Sequence, residues 1–153
     1  MKAAPFDYAA PQRLDEALAL LHEYAEDGKP LAGGQSLVPL MALRMARFDM
    51  LVDVNHVPEL QGVRQEDDEL VLGATTRQAS IERDVAVRTH VPLLADATRY
   101  IGHFQIRNRG TLGGSLAHAE PAAEYPAVAL ALDASVDIAD WQSRRRVPID
   151  ELI

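Results

Sequence analysis

Lys29-Pro30-Leu31-Ala32-Gly33-Gly34-Gln35-Ser36-Leu37 reads as a short strand that runs into a glycine pair and then into a helix. Glycine permits positive φ and lets another group approach the backbone closely. Consecutive N–H groups in such a turn form a concave nest that favours anions, phosphate above all. A helix N-terminus adds its own dipole and unpaired N–H groups. A second stretch, Thr111-Leu112-Gly113-Gly114-Ser115, has the same design: two glycines flanked by hydroxyls. One such turn is more often a tight corner with no ligand. Two of them favour a phosphate ligand gripped from opposite sides.

Outward from the first turn, the pattern alternates. Ala3 to Tyr8 reads as an extended entry. Leu14, Ala17, Leu18, Leu21 and Ala25 fall on one helical face, which predicts a helix from about Pro11 to Glu26 with Gly28 as its exit. Lys29 to Ala32 is a strand. Ser36 is placed to cap a helix carrying Leu40, Met41, Leu43 and Arg44, with Pro39 in its first turn. Met50 to Val54 is an apolar strand. Residues 1–55 therefore read as a small βαβαβ lobe with a parallel sheet.

Residues 56–153 change character. Gly62–Gln65 and Glu69–Gly73 form a hairpin about the acidic turn Glu66-Asp67-Asp68. Helices are expected from Thr76 to about Arg83, from Pro92 to Ile101 and from Ala122 to Leu132. Ser135–Ala139 and Arg144–Ile149 alternate as a strand pair. The fold class is α+β: two lobes, the second with antiparallel strands. Val147 to Ile153 reads like a strand leading into another element.

Composition narrows the function. The chain has 153 residues, 48% hydrophobic and 25% charged, and a net charge of −8. That balance fits an ordinary globular protein, and its only dense basic run, Arg144-Arg145-Arg146, is too short to track a nucleic acid. Cysteine is absent, which excludes a Cys-ligated iron–sulfur cluster or a catalytic thiol within these residues. The start, Met1-Lys2-Ala3-Ala4-Pro5, leads into no apolar signal segment, and no run reaches membrane-spanning length. The expectation is a cytoplasmic protein with no nucleic-acid partner and no membrane insertion.

The side chains offer little chemistry of their own. His22, His56, His90, His103 and His118 show no metal-ligand spacing, so no metal site is expected. The dinucleotide G-x-G-x-x-G and the P-loop are both missing. Glu120 reads as charge complementing a helix N-terminus, whereas Glu124 is placed to accept from ligand hydroxyls. Arg107 and Arg109 could pair with carboxylates or phosphate, a surface pair being the default. No residue is assigned a catalytic role, and a bound cofactor would carry any chemistry.

The quoted stretches resemble the FAD-binding medium subunit of molybdenum hydroxylases, which includes carbon monoxide dehydrogenase medium chains and xanthine dehydrogenase flavin domains. The resemblance runs through Ala32–Leu37, Leu51–Asn55, Gly73–Thr76, the specific Gln105–Ser115 motif and Ala117–Glu124. It implies that Ala32, Gly33, Gly34, Gln35, Ser36 and Leu37, with Thr111, Gly113, Gly114, Ser115 and Ala117, wrap the FAD pyrophosphate. It implies that Ile101 and Gly102 lie near the flavin or its linker. Glu124 matches a carboxylate, usually Asp, that holds ribityl or nearby hydroxyls. Gln35 stands where some members have His. The resemblance also implies partners: a large molybdopterin subunit and a small subunit with [2Fe–2S] clusters. The flavin subunit relays electrons from those clusters to NAD⁺, a quinone or oxygen. Family members normally continue well past Ile153, so this chain reads as an N-terminal half, with the C-terminal domain supplied by a further chain or missing. The alternative is a truncated, non-catalytic nucleotide-binding or subunit-interaction module. The expected behaviour of the isolated chain is weakened or absent FAD binding. Tight, stoichiometric FAD on the purified chain, read by flavin absorbance, would overturn that expectation.

Overall fold

The computed structural model describes residues 2–153. Its first sheet has three parallel strands: β1 (Asp7–Ala9), β2 (Gly28–Leu31) and β3 (Met50–Asp53), in the order β1-β3-β2. β3 is central and buried along its whole length, which explains its unbroken apolar run, Met50-Leu51-Val52. Helix α1 (Leu14–Tyr24) and the shorter α2 (Leu37–Ala42) make the crossovers. Ala17 of α1 packs with Met50, Val52, Val54 and Val57 into one core cluster.

Boundaries shift from those expected. α1 begins three residues after Pro11, and Ala25–Asp27 is a tight helical turn of its own. Ala25 has φ of 44°, outside the α region, which is why the helix cannot run to Glu26. Gly28 closes that tight turn, its N–H donating to the Ala25 carbonyl, and is also the first residue of β2. α2 ends at Ala42, because Arg44 takes a φ of 59°.

A second core lies under the remaining elements. Hairpin β4 (Val63–Glu66) and β5 (Glu69–Leu72) is followed by α3 (Gln78–Ile81), α4 (Val85–His90) and α5 (Pro92–Thr98). Then come α6 (Phe104–Arg107), α7 (Leu112–His118), α8 (Glu124–Ala131) and the antiparallel pair β6 (Ser135–Ala139) and β7 (Arg144–Pro148). Ile81, Val87, Leu94, Ala95, Tyr125 and Val128 form the centre of this core. Helix α4 has no counterpart in the sequence reading, although Asp84 caps it by accepting from the Val87 N–H at 3.0 Å. The three arginines at 144–146 lie in β7, where Arg146 bonds Asp137 and Glu69 and so ties the two hairpins together. No helix among the described residues is long and apolar enough to cross a membrane.

Tyr125 is fully buried, and its hydroxyl lies 2.9 Å from Thr98 Oγ1. Thr98 spends its single hydrogen on the Leu94 carbonyl at 2.6 Å, so Tyr125 is the donor. Burial pushes the phenol up to about 12. The unfolded chain releases this proton near pH ~10. Stability from Tyr125 is thus complete below that pH and lost as pH rises toward about 12. Denaturant unfolding across this window should show wild-type stability falling by about 1.4 kcal/mol per pH unit more steeply than Tyr125→Phe.

Candidate functional site

The site lies where the carboxyl ends of β2 and β3 meet the segment before α7. Ligands of open α/β sheets bind outside such strand ends. A cleft of about 470 Å³ opens here, lined by Ala32, Gly33, Gly34, Gln35, Asn55 and Arg109 among others. Gly34 takes φ of 70°, and Gly33 is buried. A Cβ built on Gly33 would lie 2.5 Å from the Arg109 carbonyl oxygen and 2.9 Å from the Gly110 Cα. The chain reversal and the close approach each require glycine.

The backbone donors of this turn are free. The N–H groups of Gly33, Gly34, Gln35, Ser36 and Leu37 have no hydrogen-bond partner among the described residues. The Gln35 amide donates back to the Gly33 carbonyl at 3.1 Å, so its side chain braces the turn. Ser36 occupies the N-cap position of α2, but its hydroxyl makes no capping bond. This corrects the expected capping role and leaves that end of the helix uncapped.

Gly113 and Gly114 are differently employed. They are not a loop but the first turn of α7, capped by Thr111, whose side chain accepts from the Gly114 N–H at 3.2 Å. Gly113 N–H donates to Ala74 O at 2.9 Å, and Leu112 N–H to Thr76 O at 3.1 Å. The expected nest of free donors is therefore absent at this pair. Its glycines serve packing, since a Cβ on Gly113 would lie 2.6 Å from the Ala74 Cβ. The two glycine pairs are nevertheless neighbours: a Cβ on Gly114 would lie 3.8 Å from the Ala32 Cβ. Ser115 and Ala117 follow within α7, and Thr111 is buried.

The remaining candidate residues divide between ligand-facing and structural positions. Arg107 pairs with Glu82 at 3.2 Å and donates to the carbonyls of Ile101 at 3.0 Å and Gly102 at 3.3 Å. It is thus a structural clamp on the Ile101-Gly102 turn, where Gly102 has φ of 43°. Arg109 instead lines the cleft, and its guanidinium has no partner among the described residues. Glu124 opens α8, half-buried, with its carboxylate unpaired among the described residues.

A polar network in the wall of the cleft, where Asp53 and Asn55 both line it, escaped the sequence reading as a unit. Asp53, at the end of β3, accepts from Tyr8 Oη at 2.5 Å, Asn55 N–H at 2.9 Å and Asn55 Nδ2 at 2.6 Å. Burial opposes its charge, but these donors together outweigh it and hold the carboxyl below the usual carboxylate range. Asn55 Nδ2 also donates to Ala32 O at 2.8 Å, while Asn55 Oδ1 accepts from Arg77 Nη2 at 2.7 Å. Arg77 Nη1 bonds the Arg109 carbonyl. The available signal was the pair of polar residues Asp53 and Asn55 at the end of an otherwise apolar central strand.

These features make the turn an anion cradle: it carries free N–H groups, and Arg109, whose guanidinium is unpaired among the described residues, is among the residues lining the same cleft. No set of three or more His, Asp or Glu side chains among the described residues is placed to hold a metal ion. The geometry fits a diphosphate, whose oxygens accept such donors.

Comparison with known proteins points the same way. Residues 4–153 match the family described as FAD binding domain in molybdopterin dehydrogenase. The chain is 47% identical over 153 residues to 6-hydroxypseudooxynicotine dehydrogenase complex subunit alpha of Paenarthrobacter nicotinovorans, covering all of this chain (100%) and 52% of that one. It is 43% identical over 145 residues to the carbon monoxide dehydrogenase medium chain of Hydrogenophaga pseudoflava, covering 95% of this chain and 50% of that one. Its structure superposes on carbon monoxide dehydrogenase from Hydrogenophaga pseudoflava, in a form lacking the Mo-pyranopterin moiety of its cofactor, with a TM-score of 0.96 at 42% identity, over 98% of this chain and 52% of that one. The chain spans about half the length of the relatives it matches.

Gly33 and Gly34 should respond differently to a methyl group. Gly34→Ala strains a positive φ and presses only on the side-chain ends of Val38 at 3.2 Å and Leu31 at 3.3 Å, and should cost about 1–2 kcal/mol. Gly33→Ala must move the Arg109-Gly110 backbone and should cost more. Urea unfolding midpoints of the two variants check the order.

Proposed function

Since the chain belongs to the family of FAD-binding domains of molybdopterin dehydrogenases, we propose that its cleft holds FAD by the diphosphate. The observation that carries this reading is the run of unpaired N–H groups from Gly33 to Leu37, of which Gly33, Gly34 and Gln35 line the cleft together with Arg109. FAD bound there would supply electron transfer between a partner's redox centre and an external acceptor. The chain's own residues bind and orient. The Gly33–Leu37 amides donate to phosphate oxygens, and Arg109 offsets their charge. Glu124 accepts from ribityl or neighbouring hydroxyls. Ile101 and Gly102, held by Arg107, border the flavin side. Thr111, Gly113, Gly114, Ser115 and Ala117 form the packed second wall rather than a second set of free donors.

The same reading makes this the flavin-carrying part of a molybdenum hydroxylase in the cytoplasm. In that assembly a large molybdopterin subunit would hold the substrate chemistry, and the [2Fe–2S] clusters of a small subunit would be the electron source for the flavin. The absence of cysteine from this chain agrees with clusters held elsewhere. The cleft then lies between two lobes, residues 1–55 and 56–153.

Flavin fluorescence during titration of the pure chain tests the assignment. Of the weakened or absent binding expected from the sequence, this reading selects weak but saturable FAD binding, reduced further at high salt because charge contributes. FMN, with one phosphate, should bind less tightly. Gly34→Val should raise the FAD Kd at least ~10-fold by closing the cradle. No saturation, or equal binding by Gly34→Val, would overturn it.

A further inference from the structure

Resting on the FAD reading, we propose that Asn55 is a positioning residue that aims the cradle's first donor and, through Arg77, locks the cleft's two walls together. A trans peptide is planar, with its C=O and N–H pointing in opposite directions. Asn55 Nδ2 holds the Ala32 oxygen at 2.8 Å. That oxygen belongs to the same peptide unit as the Gly33 N–H, the first unpaired donor of the cradle. Fixing the oxygen from behind therefore turns the Gly33 N–H away from Asn55.

The lock extends through the other end of the same side chain. Asn55 Oδ1 accepts from Arg77 Nη2 at 2.7 Å, and Arg77 Nη1 grips the Arg109 carbonyl. That carbonyl is the atom closest to where a Gly33 side chain would sit. One amide thus connects the end of β2, the end of β3 and the segment before α7. Asp53 completes the arrangement. It accepts from both the backbone and side-chain nitrogens of Asn55 and so fixes the amide orientation, with Tyr8 occupying its other oxygen. Gln61 Nε2 holds the Asn55 carbonyl at 2.7 Å. All four polar groups of Asn55, its N–H, its carbonyl, Oδ1 and Nδ2, are bonded within this network.

Asn55 differs in this respect from the amides it positions. The cradle N–H groups bind; Asn55 sets where they point. Arg77 cannot be replaced by lysine without loss, because a single ammonium does not present the planar fork that reaches both Asn55 and Arg109.

The experiment is FAD titration, by flavin fluorescence, of the wild-type chain, Asn55→Ala and Arg77→Lys, with thermal unfolding of each. Tyr125→Phe, in the other core, serves as a control for general destabilisation. The expected result is an FAD Kd raised about 10-fold in Asn55→Ala and about 3-fold in Arg77→Lys. Tyr125→Phe should bind as wild type although its melting temperature falls. A merely structural role for Asn55 would give the opposite pattern, with affinity following melting temperature across all variants, and would overturn the proposal. Should Asn55→Ala fail to fold, Arg77→Lys carries the test: unchanged affinity there overturns the lock. Absence of binding by the wild-type chain overturns the FAD reading together with the proposal, whereas wild-type binding with unchanged variants overturns the proposal alone.

Discussion

Contact between two stretches of bare backbone sets the geometry of this molecule. Gly33, at the end of β2, lies so close to Arg109 and Gly110 that no side chain fits between them. Backbone polar groups at such a junction must find partners or face a ligand. The Arg109 carbonyl is taken by Arg77, the Gly110 carbonyl by the Gln78 N–H at 2.9 Å, and the Ala32 carbonyl by Asn55. The acceptors of the junction are thereby consumed, while the donors from Gly33 to Leu37 stay unpaired. A surface with donors in excess suits an anion, and the proposed FAD diphosphate is an anion of that kind.

The two glycine pairs illustrate how one composition serves two physical ends. At Gly33-Gly34 the missing side chains permit a positive φ and a close approach, and the amides remain available. At Gly113-Gly114 the missing side chains let α7 begin against Ala74, and the amides are spent on Ala74 and Thr111. Capping by Thr111 replaces the ligand that an uncapped helix start would accommodate. Charge divides in the same manner. Arg107 is neutralised by Glu82 and holds a turn, while Arg109, two residues on, meets no carboxylate among the described residues and faces the cleft.

The two cores make this junction possible. α1 on the parallel sheet fixes the ends of β2 and β3, and the cluster around Tyr125 fixes α5 and α8. The buried Thr98–Tyr125 pair satisfies its own polar groups, so that core needs no water or ligand for stability. Hydrogen bonds connect the two parts. Asn55 and Arg77 bridge them, and a bridge of directional bonds specifies orientation more sharply than apolar contact does.

Much of the fold was legible in the chain. The 3.6-residue period of Leu14, Ala17, Leu18 and Leu21, the apolar run at Met50–Val52 and the alternation at Ser135–Ala139 mark their elements because burial on one face, or both, dictates residue type. Short helices were not legible: α4, α6 and α7 are too brief to show a period, and tertiary packing stabilises them. The glycine pairs themselves could be read, because only glycine tolerates the positive φ and the close approach found there. Which of their amides remain free could not be read. Hydrogen-bond satisfaction is decided by neighbours remote in sequence: Ala74 for Gly113, Asn55 for Ala32, Arg77 for Arg109. The sequence by itself determined the elements and the positions where side chains must be absent. Only the tertiary structure decided which backbone donors were left over to meet a ligand.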